Sequence, residues 1–278
     1  MKNLTIAVVD TAYHVLASRA IEKALEVTGS NSVLVLSDRD FYPGSKYVKV
    51  DVITDKFEYS KLVLKELGKH VTTDFILTIQ YDGMPIDSTQ WQNEFLNYDY
   101  IGAPWRWYPK EYCVGNGGFS LRSRKLTDYC LEDSMIFSPG PAQCQEDVHI
   151  CILYKDWLLS KGIKYSPVAL AAKFSAEEPG GRFNTFGFHG SLCLPFYLDD
   201  GYLSFYVSQL SEAMFESPQH IRLLFSLICA DRPKQIREFM VRALTLKPNF
   251  KDILLKQFPL EAIYFPGLSL NDVEKYID

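Results

Sequence analysis

Four short stretches hold the residue types that could do chemistry. In "TIQYDG", Asp82 follows an apolar run and precedes Gly83. An acid there either meets a ligand-bound divalent cation, which prefers carboxylates and bridges phosphate oxygens, or only opens a turn with the glycine. In "QCQEDVHI", Glu146 and Asp147 stand side by side at the start of a predicted helix. They are either acids matched to the helix dipole or a general base tuned by burial. In "FGFHG", His189 lies between aromatic residues and glycines, as a packed neutral imidazole or as a ligand for a metal or a phosphate. His14, His70, His149 and His220 have no comparable setting and read as structural.

The fourth stretch is "VGNGGFSLRSRKL", with Gly115, Gly117 and Gly118 around Asn116 and ahead of a short alternating segment. Three glycines give the backbone freedom and close approach that a plain connection does not need. Either a flat sugar ring lies against this backbone, or the stretch is a glycine-rich turn into a strand. In the first case Asn116 supplies a donor and an acceptor, and Arg122 or Arg124 meets a diphosphate. A side chain at Gly118 would then obstruct a ligand and leave the fold intact.

The elements that must position these residues follow from periodicity. "LTIAVVD", "SVLVLSD" and "DFILTIQYDG" are short, continuously apolar runs that suit strands covered on both faces. "YHVLASRAIEKALEV" and "FEYSKLVLKELGKHV" carry apolar residues at helical spacing between them. Strand alternating with helix predicts an α/β fold whose ligands bind at the carboxyl ends of parallel strands. That rim holds Asp10 with Thr11 beside it, Ser37, Asp38, Gln80 and Asp82. "FSLRS" reads as a further strand, "EDVHICILYKDWLLSKG" as a helix, and "IKYSPVALAAKFSAEE" as strand plus loop. Beyond about Asp199 the text turns helical, so the division expected is 1–198 for the α/β domain and 199–278 for a helical region. "ALTLKP" within that region is a partial match to one helix of a tetratricopeptide unit.

Composition removes several classes of function. The 278 residues carry a net charge of −5 and no basic tract, which argues against a general nucleic-acid binder. The six cysteines form no CxxC pair, so reduced thiols in a cytoplasmic protein are expected. The N-terminal apolar run is too short for a signal peptide, and no segment approaches the roughly 18 apolar residues of a spanning helix. Aromatic residues make up 14% of the chain and crowd its middle third, as core or as the wall of a ligand cleft.

Taken in order, "YDYIGAPW", "VGNGGFSLRSRK", "QEDVHI", "FSAEE" and "FGFHG" resemble the DUF5672 family of glycosyltransferase-like proteins, from about Lys46 to Gly190. More broadly the chain is similar to the GT-A glycosyltransferases. The resemblance implies a Rossmann-like mixed sheet flanked by helices and transfer of a sugar from a nucleotide-sugar to an acceptor hydroxyl in surface glycan synthesis. It implies that Asp82 takes the last position of a DxD-type metal motif, where Gln80 replaces the first acid and puts the Mn or Mg ion in question. Gly117 and Gly118 would line the donor sugar, Asp147 or Glu146 would be the base, and His189 would complete the metal site. A glycan or lipid-linked glycan would be the acceptor, at the inner face of the membrane, with the C-terminal helices meeting the membrane or a protein. Two rivals remain: a sugar nucleotidyltransferase, against which "DTAYHVLASRA" lacks a glycine-rich phosphate loop, and a glycan- or nucleotide-binding scaffold without catalysis.

Overall fold

The computed structural model describes residues 3–105, 108–109, 114–137, 145–177 and 184–276. It divides into two compact units, the first comprising Met1–Glu177 and Asn184–His189 and the second running from Gly190 onward.

The first unit is built on a six-stranded mixed sheet. Its strands are β1 (Leu4–Val9), β2 (Ser32–Ser37), β3 (Lys46–Lys49), β4 (Phe75–Thr78), β6 (Tyr100–Gly102) and β7 (Ser120–Ser123), in the order β3-β2-β1-β4-β7-β6. The first four are parallel, and β7 runs antiparallel to both β4 and β6. All six residues of β1 are buried, as a continuous apolar run demands when both faces are covered. Helix α1 (His14–Thr28) buries Leu16, Ala17, Ala20, Ile21 and Ala24, spaced as one helical face. Helix α2 (Lys56–Lys65) starts where the Asp55 carboxylate caps the Glu58 N–H, and its Val63 packs with Ala7, Val9, Leu34 and Leu36.

A second, three-stranded sheet joins β5 (Gly83–Pro85), β9 (Gly187–His189) and β8 (Ser175–Ala176). It links the chain just after β4 to the end of the unit, setting Gly83 opposite His189. Helix α3 (Arg124–Leu131) follows β7 directly, capped by the Ser123 hydroxyl.

Two stretches differ from their sequence reading. The predicted single helix from Glu146 is broken into α4 (Glu146–Val148), a π turn (His149–Leu153) and α5 (Lys155–Ser160). β-branched Val148, Ile150 and Ile152 crowd a regular helix there, and the turn closes by the Tyr154 N–H on the His149 carbonyl at 2.9 Å. The stretch around Ala169, read as strand plus loop, forms helix α6 (Val168–Phe174). Pro167 opens it, and the good helix formers of "ALAAK" outweigh the apolar run that suggested a strand.

The second unit is helical, as expected, with α7 (Leu194–Tyr197), α8 (Asp200–Gln209), α9 (Pro218–Cys229), α10 (Pro233–Leu246), α11 (Phe250–Glu261) and α12 (Leu270–Glu274). Phe215, Phe239 and Phe250 meet edge to face or tilted at its centre, with ring centroids 5.2 to 5.9 Å apart. Arg232 ties the start of α10 to the Pro195 carbonyl at 2.9 Å and to Asp200 at 2.8 Å. Among the described residues no helix is long and apolar enough to cross a membrane.

Candidate functional site

Three groups of polar residues gather in the first unit. The first lies at the carboxyl ends of β1 and β2. Asp10 accepts the Tyr13 N–H at 3.0 and 3.1 Å, and burial raises its pKa. The Thr11 hydroxyl accepts the Ile53 N–H at 2.9 Å. Asp38 lies 2.8 Å from His14 Nε2 and takes the fork of Arg39 at 3.0 and 3.1 Å. Beside them opens a cleft of about 190 Å³, lined by Asp10, Thr11, Tyr13, Tyr59, Gln80 and Tyr81 among others. The rings of Tyr13 and Tyr81, both in its lining, pack against each other with centroids 4.5 Å apart.

The second group surrounds the turn after β4. Gln80 and Gly83 exchange backbone hydrogen bonds at 3.0 and 3.1 Å, so Tyr81 and Asp82 form the two-residue tip of a tight hairpin. Asp82 therefore sits at the tip of a turn that Gln80 opens, and it is also buried, which pushes its carboxyl pKa up while nearby His189 holds it down. A chain of side-chain hydrogen bonds crosses this region. Gln80 Nε2 donates to the Tyr59 hydroxyl at 2.6 Å, and Gln80 Oε1 lies 3.1 Å from His189 Nε2. Asn116 Nδ2 reaches His189 Nδ1 at 2.8 Å and Glu177 Oε1 at 2.6 Å. Burial lowers the His189 pKa, so the ring is neutral near pH 7. Asn116 holds a left-handed backbone, φ 57°, and is itself buried.

The third group is the acid pair. Glu146 is buried and forms an ion pair with Arg122 at 3.1 Å, while its N–H donates to the Ser60 hydroxyl at 3.1 Å. Asp147 retains some exposure and accepts the Gly117 N–H at 3.0 Å. Its pKa is pushed up to about 7, first by burial and then by the Glu146 charge, against the N–H groups of Gly117 and Val148 and the charge of Arg122. A carboxyl in that range can both hold and release a proton at neutral pH.

The close approach to the glycines is made by the protein itself. A Cβ on Gly117 would lie 1.8 Å from Glu146 Oε1, and one on Gly118 would lie 2.1 Å from His189 Nε2 and 2.5 Å from Gln80 Oε1. Gly115 is closed off in the same way by the Trp105 ring. The expectation that Gly118 lacks a side chain only for a ligand's sake is therefore corrected. Gly102 of "IGAPW" explains why that word accompanies "GNGG": a Cβ there would stand 2.0 Å from the Gly115 carbonyl oxygen.

Arg122 is the second correction. It was expected to meet a diphosphate, but it is 2% exposed and bonded to Ser120 Oγ, Gly117 O and Glu146. Arg124 begins α3, beyond the end of β7 that pairs with Phe75, and bonds Asp128. Of the acids in "FSAEE", Glu177 joins the site through Asn116, and Glu178 lies outside the described residues. Sequence reading missed Tyr59 and Ser60. The available signal was a serine spaced with Val63 and Leu64 on the buried face of α2, where a polar side chain needs a partner.

For a divalent cation the donor set is partial. Asp82 Oδ1 and His189 Nε2 lie 4.0 Å apart, with the Gln80 amide oxygen 3.1 Å from the same ring nitrogen. Among the described residues no three His, Cys, Asp or Glu side chains come together to hold a metal. One carboxylate, one imidazole and one amide oxygen fit an ion whose remaining positions are filled by phosphate oxygens.

The molecule is thus a mixed α/β protein with a strand-end cleft, a buried polar chain beside it and a near-neutral carboxyl at the start of a broken helix. Residues 44–189 match the model of DUF5672, described as a protein of unknown function, and the chain belongs to that family. Solved structures similar to it include a glycosyltransferase involved in glycosylation of the major capsid of PBCV-1, with 12% identity, 67% of this chain and 93% of that one covered, and a TM-score of 0.40. The mannosyltransferase PcManGT of Pyrobaculum calidifontis, in complex with GDP-Man and Mn2+, matches at 11% identity over 98% of this chain and 78% of its own, with a TM-score of 0.42. Galactosyltransferase LgtC, with donor and acceptor sugar analogs, matches at 13% identity over 68% and 86%, with a TM-score of 0.36. No curated protein matches the chain by sequence.

Proposed function

We propose that the chain transfers a sugar from a nucleotide-sugar to an acceptor hydroxyl, with Asp147 as the general base. The observation that carries this reading is the Asp147 carboxyl, partly accessible, held by the Gly117 N–H and raised to about 7. The nucleoside lies in the cleft against Asp10, Thr11 and Tyr13, with Asp38 on its rim. The diphosphate reaches the Gln80–Gly83 turn. There Asp82, His189 and the Gln80 amide oxygen would hold a Mn or Mg ion, which neutralises charge on the leaving diphosphate when bound. Gly117 and Gly118 bring their backbone to the donor sugar, and Asn116 orients His189 beside it. Asp147 takes the acceptor's proton as its oxygen attacks the anomeric carbon. The acceptor is a glycan, free or lipid-linked, built at the cytoplasmic face of a membrane that the C-terminal helices contact directly or through a protein.

A panel of nucleotide-sugars with and without Mn2+ tests this by thermal shift, since a donor at 100 times its Kd stabilises by about 2.7 kcal/mol. One donor should raise the melting temperature and then be turned over with a suitable acceptor. If no donor shifts the melt under either condition, the reading fails. A binding scaffold is the second reading, favoured by Gln80 at the first acid position of the metal motif. It predicts a thermal shift with a nucleotide or glycan and no product from any donor.

A further inference from the structure

The ion pair of Arg122 and Glu146 lies directly beneath the glycine segment, and the mechanism above gives it no step. Arg122 is 2% exposed and Glu146 5%, and the guanidinium spends its donors on three oxygens. Its Nε donates to Ser120 Oγ at 3.0 Å, and one terminal nitrogen donates to both Glu146 Oε1 at 3.1 Å and the Gly117 carbonyl at 3.3 Å. The Tyr100 ring lies under it, 5.7 Å from centroid to guanidinium carbon. Glu146 is fixed from the other side by Ser60 of α2. Gly117 is consequently gripped at both polar groups, its carbonyl by Arg122 and its N–H by Asp147. With Glu146 Oε1 occupying the space of a Cβ, no other residue fits between them.

We propose that Arg122 and Glu146 are positioning residues that hold the Asp147 carboxyl against the Gly117 N–H. Net stability is a poor account of such a pair, because a buried ion pair often contributes no more than apolar groups of equal volume. Geometry is a better one. The fork of Arg122 fixes the glycine segment relative to Glu146, and the next residue along the chain is Asp147. Charge acts in the same place. Glu146 disfavours ionisation of Asp147, and Arg122 favours it. Among the described residues, the other titratable groups facing Asp147 are Tyr59 from α2, Tyr100 from β6 and Cys151 from the π turn, all raised by burial and neutral near pH 7. The acid pair thus has divided roles, Glu146 held by Arg122 and Ser60 and Asp147 keeping some exposure. The proposal rests on the reading of Asp147 as the base only for its consequence in turnover.

Carbon-13 NMR of the Asp147 side chain across pH tests it on the full chain without any ligand. Glu146→Gln keeps the shape and removes the like charge, so the Asp147 midpoint should fall by about one pH unit. Arg122→Met with Glu146→Met removes both charges at similar volume and guards against a fold lost to one unpaired charge. In that double variant the midpoint should again move, and the Gly117 amide resonance should shift as its grip loosens. A midpoint and an amide resonance unchanged in both variants would overturn the proposal. If they move as stated and Asp147→Asn turns over donor like the wild type, the positioning role stands and the base assignment falls.

Discussion

At the level of single residues, the site is a set of side chains whose alternatives are already occupied. Asn116 shows how far this goes, since one amide bonds both His189 and Glu177 from a left-handed backbone. Replacing it by glycine keeps that backbone easy and deletes only the side-chain bonds, for a loss of about 1 kcal/mol in denaturant unfolding. Alanine adds strain at φ 57°, and Asn116→Ala should lie about 1 kcal/mol below Asn116→Gly. Equal stability of the two would show that the backbone there is unstrained. Gly118→Ala should destabilise by roughly 1–3 kcal/mol, because its Cβ meets His189 and Gln80, whose positions are tied by the polar chain. A variant that melts like the wild type would show that the chain yields easily. Asp147 gives the opposite sign. Its folded pKa lies above the unfolded value of 3.8, so its ionisation costs stability as pH rises above that value, more steeply until about pH 7. Asp147→Asn should thus melt no lower than the wild type at pH 8, yet lose turnover by about 100-fold or more with little change in donor affinity.

Elements explain which of these features could be read from the chain and which could not. The parallel strands were legible because burial on both faces leaves a continuous apolar run, and β1 and β2 are such runs. The strand-end rim followed from that, including Asp10 and Asp38. Helix α6 was misread because its opening run of alanine, leucine and valine, Val168 to Ala172, suits either structure until Pro167 sets the backbone. The break after Val148 was hidden because a π turn keeps nearly helical spacing of apolar residues. Arg122 sat on an alternating strand where sequence shows the side chain but not its face, and the inward face made it structural. His220 in α9 was read as structural, and its setting has a measurable result. Among the described residues neither buried ring nitrogen has a partner, and burial lowers the pKa to about 4. The folded state therefore refuses a proton that the unfolded chain accepts below about pH 6.5. The stability present above pH 6.5 falls by about 3 kcal/mol as pH drops toward 4. His220→Leu should remove that part of the acid sensitivity, seen as a smaller loss of melting temperature between pH 7 and pH 5. An identical acid profile in the variant would place the sensitivity elsewhere.

For the whole molecule, the question is whether the first unit holds a complete donor site. The acids Asp10, Asp38, Asp82, Glu146 and Asp147, the glycine segment and His189 all fall within it. The family match ends at residue 189, where the last strand of the small sheet ends. The helices that follow bury their own phenylalanines and close their own ion pairs, such as Arg222 with Glu261. A chain shortened to residues 1–199 is therefore expected to fold and to bind the same nucleotide-sugar as the full protein, with a Kd within a few-fold. Far-ultraviolet circular dichroism and a cooperative melt would establish the fold, and calorimetry against the donor found by thermal shift would measure the affinity. The strained part of this expectation is the second sheet, because β9 is its central strand and holds His189 opposite Gly83. Loss of binding in a shortened chain that melts cooperatively would mean that residues beyond 199 complete the site, and that a boundary near residue 198 misassigns them.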